Sequence, residues 1–158
     1  MSDAPAYAPD PGPLSPGGGR LPATGRTVLF VLGALLSALS AAMLIPALVD
    51  LNSDAGTAHA FFGSAVLGLF VGGVMTLMGR GADKDLDARA AIVVTGGSWA
   101  LLALAAAAPL KIGAGLSWTD AVFEATSGIT TTGATVITGL ESQSAGVLIW
   151  RAILQWIG

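Results

Sequence analysis

The residues with chemistry to offer are gathered in one short stretch, Ser127-Gly128-Ile129-Thr130-Thr131-Thr132-Gly133-Ala134-Thr135. Three consecutive threonines closed by a glycine supply oxygen, both as hydroxyls and as backbone carbonyls. A cation that leaves water must replace its hydration shell with several such oxygens, and consecutive carbonyls can do so when the chain can turn them one way. Gly133 supplies the dihedral freedom for that turn. No charged residue lies within the stretch. Selection by dipoles suits a monovalent cation, because divalent ions usually recruit carboxylates. The spacing fits equally well a β-branched outer loop closed by a glycine turn.

Other chemistries find little support. The chain has one histidine, His59, and no cysteine, so there is no thiolate metal site or disulfide framework. No histidine or lysine base lies near the threonines to activate a nucleophile. The Gly-Lys-Ser/Thr ending of a phosphate loop is missing. The chain reads as a non-enzyme without a cofactor, and nothing in it points to nucleic acid.

The setting of the oxygen-rich stretch is apolar. Hydrophobic residues make up 53% of the 158 and charged residues 11%, with a mean hydropathy of +0.74. The runs 27–49, 58–79 and 90–110 are each about 20 residues, enough for a helix to cross a ~30 Å hydrocarbon layer. The fold class is therefore all-α integral membrane. Residues 1–26, rich in proline and glycine, read as a disordered tail.

Arg20 and Arg26 precede the first span, and Arg80, Lys84 and Arg89 lie between the second and third; only Lys111 follows the third closely. Positive charge is retained on the cytoplasmic side, so the N-terminus is expected inside and the threonines on the outer side of a multi-pass cell (inner) membrane protein. Asp83, Asp85 and Asp87 interleave with Lys84 and Arg89 as a solvated inner turn. Gly68 and Gly72 form a small-residue pair suited to close helix packing, within the subunit or between subunits.

Ser117-Trp118-Thr119-Asp120 has the form of a capping box and predicts a helix over 117–128, with Gly128 as its C-terminal cap. At about 16 Å such a helix reaches halfway through a bilayer, so it is re-entrant or interfacial. Glu124, costly at that depth unless paired, either biases an outer vestibule toward cations or braces the loop behind it.

"FEATSGITTTGAT", together with "MLIPALVD", "APL", "WTDAVFEATSG" and "WRAILQWIG" in the same order, resembles the Trk/Ktr/HKT superfamily of potassium transporters, especially its TrkH branch. The resemblance covers Thr27 to Gly158 and implies potassium transport. Two extra transmembrane helices (27–79) would precede the first helix, pore-loop, helix repeat (90–158). That repeat comprises an outer helix 90–110, a pore helix 117–128, a filter 129–135 and a second helix 146–158 that is cut short, so the repeat is incomplete. It assigns Thr130, Thr131, Thr132 and Gly133 to potassium binding, with the metal contacts at Thr131 and Thr132, and Glu124, Gly128 and Ala134 to filter support. Arg151 matches an arginine of the second helix. The implied partners are membrane lipid, a second copy of the complete protein, and a cytosolic nucleotide-binding regulatory subunit of the TrkA type. The competing expectation is a non-conducting membrane scaffold or accessory protein, or a pseudogene-like fragment; a remoter one is a pore made by four copies.

Overall fold

The structure, a computed structural model, describes residues 23–52, 56–81 and 88–158. The expected tail over 1–22, the loop residues 53–55 and the charged turn over 82–87 lie outside the described residues. Helix α1 spans Ala23–Ala42, so the last four residues of the expected tail are helical. It is followed by α2 (Leu44–Val49), α3 (Ala58–Gly79), α4 (Ala88–Gly113), α5 (Trp118–Ile129) and α6 (Ala145–Ile157), with single 3₁₀ turns at Asp50–Asn52 and Leu140–Ser142. No strand occurs among the described residues.

Among the described residues, three stretches are long and apolar enough to cross a membrane: Thr24–Val49, Ala58–Gly79 and Ala91–Gly113. They match the three expected runs with one difference. The first is interrupted at Met43, and α2 restarts at Leu44 with Pro46 in its first turn. Proline has no N–H to continue the ladder from α1, but it is tolerated at the start of a new helix. Met43 keeps its own amide bonded to Leu39 and Ser40, both at 3.2 Å.

Helix α1 lies against α3 through backbone rather than bulky side chains. A Cβ on Gly33 would sit 2.6 Å from the Thr76 amide nitrogen, and one on Gly72 would sit 2.8 Å from the Gly33 carbonyl oxygen. The Gly68/Gly72 pair is thus used within the subunit, where Gly68 faces Ser40. Ser37 and Ser40 donate to carbonyls of their own helix, Gly33 at 2.8 Å and Leu36 at 2.7 Å. Their hydroxyls therefore need no partner from lipid.

The outward faces of α3 and α4 carry Leu67, Phe70, Leu77, Ile92 and Leu104, all exposed. So continuous an apolar surface is what a lipid-facing helix presents. The interior is alanine-rich: Ala65, Ala106, Ala107, Ala121 and Ala125 let α3, α4 and α5 close around Phe61, Leu110, Val147, Trp150 and Leu154. Trp150 is the hub. Its ring meets Phe61 edge-on at 6.2 Å, and its Nε1 donates to the Ala106 carbonyl at 3.1 Å.

The two ends of the bundle differ. At one, the Arg26 guanidinium donates to the Arg80 carbonyl. At the other, Gly113 approaches Ala60 and Thr57, and Asp50 meets Thr57 and Gly146.

The α1/α3 seam makes a clear prediction. Gly72→Val places side-chain atoms where Ser37 and the Gly33 backbone already sit, and overpacking of this kind costs about 1–3 kcal/mol. Gly73, one position on, has open space around its missing Cβ, so Gly73→Ala is expected to be tolerated. Thermal unfolding of the detergent-solubilised full-length protein is expected to show a lowered midpoint for the first variant and an unchanged one for the second.

Candidate functional site

Ser117 starts α5 as the capping box predicts. Its Oγ accepts the Asp120 amide at 3.1 Å and donates to Asp120 Oδ2 at 2.7 Å. The helix is 12 residues, about 18 Å at 1.5 Å per residue. Its far end differs from expectation. Gly128 is not the cap; it is a buried residue inside the helix, where a Cβ would come 2.8 Å from the Leu154 Cβ. Gly128 is glycine so that α6 can approach α5.

The helix ends one residue later, at Ile129, in a double hydrogen bond. The Thr131 amide donates to the Gly128 carbonyl at 2.9 Å, and the Thr132 amide to the Ser127 carbonyl at 3.0 Å. This is a Schellman motif, whose left-handed residue is usually glycine. Here it is Thr131, at φ 56. A β-branched residue in that region is a genuine outlier, of the kind that costs about 1–3 kcal/mol and concentrates at functional sites. Gly133 also takes positive φ, 74°, as the sequence predicts.

Beyond the motif the loop is anchored from behind. The Ser127 hydroxyl donates to the Ala134 carbonyl at 2.7 Å. Glu124, one turn earlier on the same face of α5, holds the next three residues. Its Oε1 accepts the Thr135 hydroxyl at 2.5 Å, the Val136 amide at 2.6 Å and the Ile137 amide at 3.2 Å. Its Oε2 accepts Arg151 Nε from α6 at 2.9 Å. The Glu124 side chain is 0% exposed and that of Arg151 17%. Both carboxylate oxygens of Glu124 are thus engaged behind the loop, the arrangement of a brace.

Between these anchors, the carbonyls of Thr130, Thr131, Thr132 and Gly133 accept no hydrogen bond from the described residues. Thr130 spends its hydroxyl on the Thr126 carbonyl (2.8 Å) and pairs with the Thr132 hydroxyl (2.8 Å). The stretch from Thr130 to Val136 is exposed in this chain.

The direction of the loop follows from which residues meet. Glu124 meets Arg151, and Gly128 meets Leu154, so α5 and α6 run the same way. The chain leaving Ile129 must therefore travel back to the end of the bundle where α5 began before α6 can start. That return is the geometry of a re-entrant loop.

The predicted residues Glu124, Gly128, Thr130, Thr131, Thr132, Gly133 and Ala134 are brought together, with Gly128 serving both as a packing position against Leu154 and, through its carbonyl, as the acceptor for the Thr131 amide. Sequence reasoning missed Ser127, Thr135 and the contact between Glu124 and Arg151. Ser127 was legible as the residue three positions after Glu124 on one helical face, and Arg151 as a lone charge in an otherwise apolar helix.

Fold and site define an all-helical, multi-pass membrane protein with a returning, braced, oxygen-rich loop. Residues 58–158 match the family model described as TrkH, a cation transport protein. The chain belongs to the TrkH family of cation transport proteins. It is 40% identical over 135 residues to the Trk system potassium uptake protein TrkH of Halomonas elongata, and 33% identical over 135 residues to that of Escherichia coli K12. Each match takes in 84% of this chain and 28% of the relative, so the chain spans little more than a quarter of those proteins. Its fold superposes on the crystal structure of the potassium transporter TrkH from Vibrio parahaemolyticus with a TM-score of 0.78 at 35% identity, over 84% of this chain and 29% of that one. These relatives are transporters, not enzymes.

Removing the carboxylate tests the brace. Glu124→Ala strands the Val136 amide and the part-buried Arg151 Nε, while the Ile137 amide keeps the Thr135 hydroxyl at 3.1 Å; breaking a fully buried pair from one side costs about 3–5 kcal/mol, and the partial exposure of Arg151 lowers the figure here. Glu124→Gln keeps acceptor capacity and is expected to lose less. Membrane abundance and detergent melting of the full-length protein are expected to rank wild type above Gln above Ala.

Proposed function

We propose that this chain carries part of a potassium pathway, with Thr130, Thr131, Thr132 and Gly133 as its contribution to the selectivity filter. The observation that carries the reading is the run of carbonyls left without an internal donor between two anchored segments. Carbonyls already bonded within the fold are poor ligands for an ion; these four are free to replace water. The C-terminus of α5 adds its partial negative charge at the same place. Glu124, already engaged by four donors, acts behind the loop, so the ion meets dipoles rather than a carboxylate. That chemistry favours potassium over a divalent ion.

In this reading α1 to α3 form the two extra membrane helices, α4 the outer helix, α5 the pore helix and α6 the start of the second helix of the first repeat. The names of the relatives as potassium uptake proteins support potassium as the transported ion. The complete protein would close the filter with further pore loops, lie in the cell membrane with its N-terminus inside, pair with a second copy and dock a cytosolic nucleotide-binding regulatory subunit.

Gly133 is the decisive position. A Cβ there meets nothing closer than Gln155 Nε2 at 3.7 Å, so the site has room for a side chain but the backbone at φ +74 disfavours one. Gly133→Ser is therefore expected to strain the loop by about 1 kcal/mol without disturbing packing. Acting on ion selection, that energy corresponds to about a fivefold change in preference. In cells lacking other potassium uptake, the variant of the full-length protein is expected at normal membrane abundance with a reduced ratio of rubidium to sodium uptake. An unchanged ratio would leave the stretch as a mere outer loop.

Orientation has its own test in this cysteine-free chain. A single cysteine at Lys111 is expected to react with an impermeant thiol reagent in intact cells, and one at Asp85 only after the membrane is opened. The reverse pattern would overturn the assignment of the threonines to the outer side.

A further inference from the structure

One acidic side chain joins the N-terminal helices to the loop unit. Asp50, at 1% exposure, sits where α2 passes into its 3₁₀ turn. Its Oδ2 accepts the Thr57 hydroxyl from the turn before α3. Its Oδ1 accepts the Gly146 amide at 2.8 Å, across 96 positions of sequence. That amide is one of the orphan donors at the start of α6; the Ser144 hydroxyl takes the next, Val147, at 3.3 Å.

Gly146 is shaped to this contact. A Cβ on it would lie 2.6 Å from the Asp50 Cγ and 2.9 Å from the Pro46 carbonyl oxygen. Any side chain at 146 would push the carboxylate out.

From Gly146, α6 runs as a continuous helix to the brace. Trp150 is locked by Ala106 and Phe61, and Arg151, about 7.5 Å along the axis, reaches Glu124. Glu124 in turn holds the Val136 and Ile137 amides. The loop's register is thus tied through two charge-assisted contacts to a residue that is remote from it in sequence.

We propose that Asp50 is a positioning residue for ion selection, setting α6, and through Arg151 and Glu124 the filter backbone. The N-terminal helices thereby become part of the filter's frame rather than a membrane anchor beside it. This rests on reading Thr130 to Gly133 as a filter.

The test uses the full-length protein in cells lacking other potassium uptake, with the rubidium-to-sodium uptake ratio read per unit of membrane protein. Asp50→Ala and Gly146→Ala are each expected to lower the ratio by about threefold to tenfold, within the range in which mutations along a packed network alter the coupling of distant sites. Asp50→Asn keeps an acceptor oxygen for the Gly146 amide and is expected to stay near the wild-type ratio, a rescue that lost folding alone does not explain. If Asp50→Ala does not reach the membrane, Thr57→Val carries the test, since it removes only the hydroxyl donor; a smaller shift in the same direction is expected. A wild-type ratio for Asp50→Ala, or for Thr57→Val in its place, while Gly133→Ser shifts it, overturns the positioning role and leaves the filter reading standing. A wild-type ratio for Gly133→Ser overturns the filter reading and the role of Asp50 with it.

Discussion

Everything distinctive here depends on one buried carboxylate. Glu124 gathers donors from the returning loop and from α6. A carboxylate in an apolar interior is expensive, and a single partner rarely offsets the desolvation. Two backbone amides, a hydroxyl and a guanidinium together can, because charge-assisted hydrogen bonds are roughly twice as strong as neutral ones. The partly exposed Arg151 keeps some solvation, so the desolvation penalty falls mainly on one partner of the pair. The net gain is conformational: the backbone of Val136 and Ile137 has one place to go.

The rest of the bundle exists at the separation this brace requires. For Arg151 to reach Glu124, α6 must lie close beside α5, and glycine at 128 and alanine at 121 and 125 keep the facing surface of α5 low. Trp150 then fills the space where α3, α4 and α6 converge, and its buried indole N–H finds a carbonyl. Where α2 ends, Asp50 satisfies a helix-start amide that lipid could not. Small residues set the distances, one large aromatic fills the gap, and polar atoms are placed where a backbone group would otherwise go unpaired.

What the sequence made legible was local. The three apolar runs, the capping box at Ser117 and Asp120 and the need for positive φ at Gly133 each depend on a few adjacent residues. The errors have a common cause. Gly128 sits where a helix cap is expected, yet its reason for being glycine is Leu154, 26 positions later. The break between α1 and α2 inside the first span goes unread because hydropathy does not register the missing N–H of Pro46. Asp50 goes unnoticed because its amide partner lies in α6, 96 positions away. The brace was half visible: an acid at costly depth demands a partner, but local pattern does not say which of seven Lys/Arg supplies it.

Thr131 shows why the loop is built as it is. The Schellman motif consumes the Ser127 and Gly128 carbonyls, so the oxygens left over begin just after it. A glycine at 131 would close that motif without strain, and would also let the following carbonyls wander, since glycine visits both signs of φ readily. Threonine narrows the choice, and the pairing of the Thr130 and Thr132 hydroxyls on either side narrows it further. The backbone holds the unfavourable angle because its neighbours are pinned from behind, at Ala134 by Ser127 and at Val136 and Ile137 by Glu124. A filter needs both properties: carbonyls unbonded in front so that they can replace water, and a backbone too constrained to collapse around a smaller ion. In the proposed filter the first property would come from what the helix end leaves over, and the second from a carboxylate set behind the loop.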